Sequence, residues 1–207
     1  MEQVITLYLK LFFMMTPFFV LSVFLIMSKR LTSSEKKQII LKLSITVLII
    51  SLVFLIFGQY IFSLFGITLD AFKIGAGTVL FLSALEMIKG GTEVPEGPEG
   101  SNKRGVDFAI VPLAIPVTVG PGMIGILMVI GAELDGLADT IVVVLALIAA
   151  VVSVAAVLLF SNKIQRLLGQ QGLEVLPKIT GLFVSAIGAQ IVFSGIQGFF
   201  VGGLVAQ

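Results

Sequence analysis

Apolar residues run through this chain in long blocks, rather than in the three-or-four spacing of a soluble helix or the alternation of a half-buried strand. Six blocks can be drawn, at 4–27, 39–65, 71–90, 107–131, 138–161 and 179–204. Roughly 20 apolar residues cross the hydrocarbon layer as a helix, and each block reaches that length. A strand of a membrane barrel alternates apolar and polar positions over about ten residues. Val142 to Phe160 is apolar almost without interruption, so the blocks read as helices. The first block is longer than the apolar core of a signal peptide and is followed by more of the same, which predicts that it stays as a helix.

Composition agrees with this pattern. Hydrophobic residues make up 57% and charged residues 12% of 207 positions, and the mean hydropathy is +1.15. That leaves too little polar surface to cover a water-soluble globule. The chain has no cysteine, histidine or tryptophan. Disulfides, thiolate metal sites and imidazole catalysis are therefore excluded, and no cofactor or nucleic-acid partner is implied. An enzyme is not expected, because no pair of carboxylates lies within the apolar blocks for acid-base or metal work.

The polar connections give the chain a direction. Lys29, Arg30, Lys36, Lys37, Lys42, Lys89, Lys103, Arg104, Lys163, Arg166 and Lys178 fall after blocks 1, 3 and 5, and only Lys10 and Lys73 fall on the other side, eleven against two. Basic loops stay in the cytoplasm. Both termini are thus expected outside the membrane and the central linker inside. The run Gly90-Gly91-Thr92-Glu93-Val94-Pro95-Glu96-Gly97-Pro98-Glu99-Gly100 reads as a flexible linker, giving units 1–90 and 107–207 joined by cytoplasmic residues 91–106.

The two units resemble each other. At a shift of 103, Leu55, Phe57, Ile61, Leu64 and Gly66 meet Leu158, Phe160, Ile164, Leu167 and Gly169. At 104, Pro17 meets Pro121; at 105, Lys73-Ile74 meets Lys178-Ile179. Apolar helices share Leu, Ile and Phe by chance, but these landmarks recur in the same order. Three crossings per unit is an odd number, so the second unit enters the membrane from the opposite side. The expected fold is all-α: six transmembrane helices as two inverted three-helix repeats, an arrangement that places transporter sites near the midplane.

Block 4 contains Val111-Pro112-Leu113-Ala114-Ile115-Pro116-Val117-Thr118-Val119-Gly120-Pro121-Gly122. Each proline removes a backbone donor, and the glycines admit conformations closed to other residues, so the helix should break near Val117 to Pro121. Freed amides and carbonyls at membrane depth must face protein or a wet cavity. A half-helix starting near Pro121 or Gly122 would point its positive end into the gap. Thr16-Pro17 in block 1 is a milder version, matched to it by the repeat. Thr16, Pro17, Pro116, Thr118, Gly120, Pro121 and Gly122 are the candidate substrate-binding residues, with Gln190 of block 6 as a further hydrogen-bonding group. The alternative is that the prolines only kink helices for packing and that Gln190 bonds another helix. Glu86, the one acid away from the edges of the blocks, is either a proton carrier or a snorkelling partner of Lys89. Small residues at Gly75, Gly77, Gly181, Ser185 and Gly188 read as close helix contacts.

The segment from Val111 to Pro116 followed by Gly120-Pro121-Gly122 resembles the helix 4 signature of the MarC family of bacterial and archaeal inner-membrane proteins. Phe65-Gly66-Ile67-Thr68 with Phe72-Lys73-Ile74-Gly75-Ala76-Gly77, and the stretch from Gly172 to Gly181, are similar to that family's approaches to helices 3 and 6. The resemblance implies a plasma-membrane protein, some of whose relatives transport small neutral amino acids such as glycine and alanine. Where the family usually has Asn before the helix 1 proline, this chain has Thr16.

The leading expectation is therefore a transporter of small neutral amino acids working by alternating access, its partners a small-molecule substrate and the lipid bilayer. A structural or regulatory membrane protein and a channel are the alternatives, and a homo-oligomer stays open. A reporter fused at Gln207 should be found outside the cell; activity in the cytoplasm would overturn the orientation.

Overall fold

The computed structural model describes residues 2–29, 31–90, 113–114 and 117–205. These form α1 Glu2–Met14, α2 Pro17–Met27, α3 Ser33–Phe65, α4 Leu69–Lys89, α5 Pro121–Ala132, α6 Leu137–Leu159 and α7 Ser161–Val205, with no strand among the described residues. Five stretches are long and apolar enough to cross a membrane: Val4–Met27, Ser33–Gly58, Leu69–Lys89, Leu137–Leu159 and Gln171–Phe200. Of the fourth sequence block, the described residues give the 12-residue α5 and the short stretches 113–114 and 117–120 before it, where the chain breaks ahead of Pro121. Pro112 and Pro116, and the linker at 91–106, lie outside the described residues.

Large apolar side chains cover the outside of the bundle; Leu64 is 80% and Leu167 86% exposed. In water such a surface would aggregate, whereas hydrocarbon accepts it. The protein is an integral membrane protein.

Local chemistry sets the helix ends. Thr32 and Glu35 close a reciprocal capping box at the start of α3, and the Thr68 hydroxyl accepts the Ala71 amide at the start of α4. Gly66 ends α3 at φ 63°, and Gly169 breaks α7 at φ 65°, a region L side chains rarely enter. The chain thus turns at the two glycines that the repeat aligns.

Lipid is as apolar as Leu, so helices in it associate through close packing rather than through the hydrophobic effect. α4 and α7 pack antiparallel on that principle. A Cβ on Gly188 would stand 2.8 Å from the Phe81 amide nitrogen and 2.9 Å from the Gly77 carbonyl oxygen; one on Gly181 would stand 2.9 Å from the Ala84 carbonyl oxygen. Gly75, by contrast, faces open space, so the expected close contact holds for Gly77 and not for Gly75.

α5 lies antiparallel between α3 and α4, with Gly131 against Leu55 and Gly58 against Met128 on one side, and Gly122 against Leu80 and Gly125 against Ala76 on the other. α1 packs on α6, where the Tyr8 and Ser153 hydroxyls are 2.9 Å apart. α2 packs on α7, where the Ser22 hydroxyl donates to the Leu173 carbonyl. One core of Met15, Phe24, Leu113, Leu127 and Leu147 joins these layers.

Gly188→Leu should therefore destabilise the α4/α7 pair by about 1–3 kcal/mol or more. Gly75→Ala should be neutral or stabilising by about 0.5–1 kcal/mol, since it adds only helix propensity. The apparent melting temperature of the detergent-solubilised protein checks both.

Candidate binding site at the helix breaks

The first break lies between α1 and α2. Pro17 has no amide hydrogen, and its ring disfavours the right-handed helical region for the residue before it. Thr16 responds by adopting φ 46°, ψ 55°, the left-handed region. A β-branched residue is an outlier there, and such strain costs on the order of 1–3 kcal/mol. Its amide donates back to the Phe13 carbonyl at 2.9 Å, closing α1 with a tight turn. The Thr16 hydroxyl oxygen is buried and has no hydrogen-bond partner. Both features of this residue, a strained backbone and an unpaired buried hydroxyl, are rare alone and occur here together.

The second break precedes α5. The Val119 amide reaches five residues back to the Ala114 carbonyl at 2.9 Å, a widened π-type turn. The Thr118 hydroxyl donates to the Leu113 carbonyl at 2.7 Å and keeps its oxygen lone pairs free to accept. Gly120 is extended, and Pro121 occupies the first turn of α5. No side chain caps that helix start, so the Gly122 and Met123 amides and the positive end of the helix remain available.

A cleft of about 260 Å³ joins the two breaks. It brings together Thr16, Thr118, Gly120, Pro121, Gly122 and Glu86, with Met14, Phe19, Leu80, Ser83 and Val184 completing its walls. Glu86 is exposed at the rim and forms no ion pair with Lys89 among the described residues. Two expected site residues among those described are not in the cleft. Pro17 is buried in the first turn of α2 and shapes the break without lining it. Gln190 lines a separate cavity of about 420 Å³ with Lys10, Lys73, Glu133, Asp139 and Ser194, in which Lys73 pairs with Glu133 at 2.5 Å. Pro116 lies outside the described residues.

Sequence reasoning missed Phe19, Leu80 and Val184, which look like any apolar helix position. Nothing in their local sequence sets them apart. The structure also explains the Asn usual in the resembling family at position 16: Asn enters the left-handed region several-fold more readily than Thr.

Thr16→Asn should accordingly raise stability by about 1 kcal/mol through relief of backbone strain. Thr16→Val should leave it unchanged or slightly higher, since the hydroxyl it removes has no partner. Thermal denaturation of the purified protein without ligand tests both signs.

Known proteins are similar to this chain over most of its length. It is 33% identical to a UPF0056 membrane protein of Methanocaldococcus jannaschii, covering 91% of this chain and 93% of that protein. It is 31% identical to a UPF0056 membrane protein of Aquifex aeolicus, over 92% and 90%, and 28% identical to the UPF0056 membrane protein YhcE of Escherichia coli, over 94% and 92%. No solved structure matches it. The family model described as MarC family integral membrane protein matches residues 1–200. With its broken helices, lipid-exposed surface and full-length relatives in accord, the chain belongs to the MarC family of integral membrane proteins.

Proposed function

We propose that this protein transports small neutral amino acids of the glycine and alanine class across the plasma membrane, by alternating access between two inverted three-helix repeats, 1–90 and 107–207. The observation that carries the reading is the strained Thr16 with its unpaired hydroxyl, on the same cleft as the uncapped start of α5. An uncapped helix start stabilises a carboxylate through amides and dipole. Hydroxyl and carbonyl oxygens at the breaks accept from an ammonium. A zwitterion uses both, and a cleft of about 260 Å³ lies below the ~300–1,000 Å³ of drug-sized ligand sites, which favours a small cargo.

The repeat reading is supported by the packing. Exchanging the first three crossings for the last three turns the α2/α6 contact into the α5/α3 contact and the α2/α7 contact into the α5/α4 contact, and maps α4/α7 and α3/α6 onto themselves. Pro17 and Pro121, 104 residues apart, each begin a half-helix. The substrate class rests on the family resemblance together with this cleft chemistry.

Purified protein in liposomes should accumulate labelled glycine or alanine above protein-free vesicles. Thr16→Val, which leaves the fold intact, should raise the KM about tenfold, since a hydrogen bond to a charged group is worth roughly 1.5–3 kcal/mol. Glu86, the one carboxylate on the cleft, is the proposed proton carrier. In Glu86→Gln a pH gradient should no longer drive uptake, while exchange of labelled for unlabelled glycine persists. Absence of glycine and alanine flux in the parent protein would sink the reading.

A further inference from the structure

Three cavities follow one another along the bundle, and three separate helical stretches give them in the same order. On α4, Lys73 lines the large cavity, Leu80 to Met87 line the cleft, and Met87 and Gly90 line a third cavity of about 260 Å³. On α7 the order is Gln190, then Val184, then Lys178. On α1 and α2 it is Lys10, then Thr16, then Ser22. From Lys73 to Gly90 the helical rise is about 26 Å, against a hydrocarbon layer of about 30 Å. The series therefore extends over most of a membrane's thickness.

Adjacent cavities share walls. Among the described residues, Met14 alone lines both the large cavity and the cleft, and it is buried to 4% exposure. Phe19 and Met87 line both the cleft and the third cavity. Leu80, Met123 and Val184, all buried, also line the cleft. We propose that Met14 is the gate and size filter between the large cavity and the cleft, and that Phe19 with Met87 forms the opposing constriction. The proposal rests on the transport reading for its physiological meaning, but not for its geometry.

Two features of the residues fit that role. Methionine is unbranched and apolar, so it can swing aside without stranding a polar group, and its bulk excludes water and ions when in place. Met14 is the last residue of α1, and Phe19 lies in α2, on opposite sides of the Met15-Thr16 break. A change of angle at Thr16 moves the two constrictions relative to each other, so that opening one can accompany closing the other. The hinge, the unpaired hydroxyl, Met14 and Phe19 thus sit within six residues of one broken helix, and Met87 of α4 completes the second constriction.

The cysteine-free sequence permits a direct test. Single variants Ser194→Cys in the large cavity and Ser83→Cys at the cleft are treated, in sealed vesicles, with a charged membrane-impermeant methanethiosulfonate added to one side at a time. Ser194→Cys should react only from the side that Lys10 faces, and Ser83→Cys only from the other. Adding Met14→Ala should make Ser83→Cys reactive from the Lys10 side as well. Adding Met14→Leu, which keeps an apolar plug, should leave the pattern unchanged and reports that the site still folds. The gate is overturned if Ser83→Cys reacts from the Lys10 side with Met14 intact, or stays silent from that side in a Met14→Ala protein that remains monodisperse on gel filtration. In transport, Met14→Ala should admit leucine relative to glycine where the parent excludes it; unchanged selectivity would remove the filter role. Gated labelling without any amino acid flux would overturn the transport reading and leave the gate standing, whereas flux with ungated labelling would overturn the gate alone.

Discussion

A backbone inside lipid has no water to satisfy its amides and carbonyls, and that constraint organises this molecule. Most of the chain meets it with uninterrupted helices. Pro17 and Pro121 break the rule, each at the first position of a half-helix, so the groups freed before them must be satisfied within the protein. The repairs differ. Before Pro17 the chain takes a tight turn and pushes Thr16 into the left-handed region; before Pro121 it widens into a π-type turn, and Thr118 folds its hydroxyl back onto the Leu113 carbonyl. Neither repair is complete, and what remains unpaired lines the cleft.

Such strain persists only where the surroundings over-determine it. Here the surroundings are the glycine-mediated contacts. Gly188 on α7 meets Gly77 and Phe81 on α4, and Gly122 and Gly125 hold α5 against α4, so the backbone around the breaks sits in a close-packed frame. The same glycines that let the helices approach also leave little freedom for the breaks to relax. A stiff pair beside a broken helix with one strained residue is the arrangement expected where motion is concentrated at a hinge. The contrast between the two is physical: α4 and α7 contact each other along their lengths, while Thr16 is held in the left-handed region by the proline that follows it.

The membrane assignment, the all-helical class and the two breaks were legible in the sequence because each depends on local chemistry. Apolar length is counted directly, and a proline removes its donor wherever it stands. Gln190 shows where local reasoning stopped. A polar residue amid an apolar block announces some use, but whether it meets the breaks or another cavity depends on the depth at which α7 crosses its neighbours, and the sequence has no measure of that. Gly75 and Gly77 make the same point, since two positions on one helix look alike as letters and face open space and a partner backbone respectively.

Glu86 carries the distinction furthest. Its spacing from Lys89 allowed an ion pair within one helix, and only packing set it on the rim of the cleft instead. By itself the sequence determined which segments enter lipid and where their helices must open, because hydropathy and proline act on the residue and its immediate neighbours. The tertiary structure decided which side chains share the opening, that Met14 and Phe19 bound it along the broken first helix, and that the Thr16 hydroxyl has no partner. Those facts depend on the crossing depths and close approaches of helices distant in the chain, and the approaches are set by backbone packing that no single residue encodes.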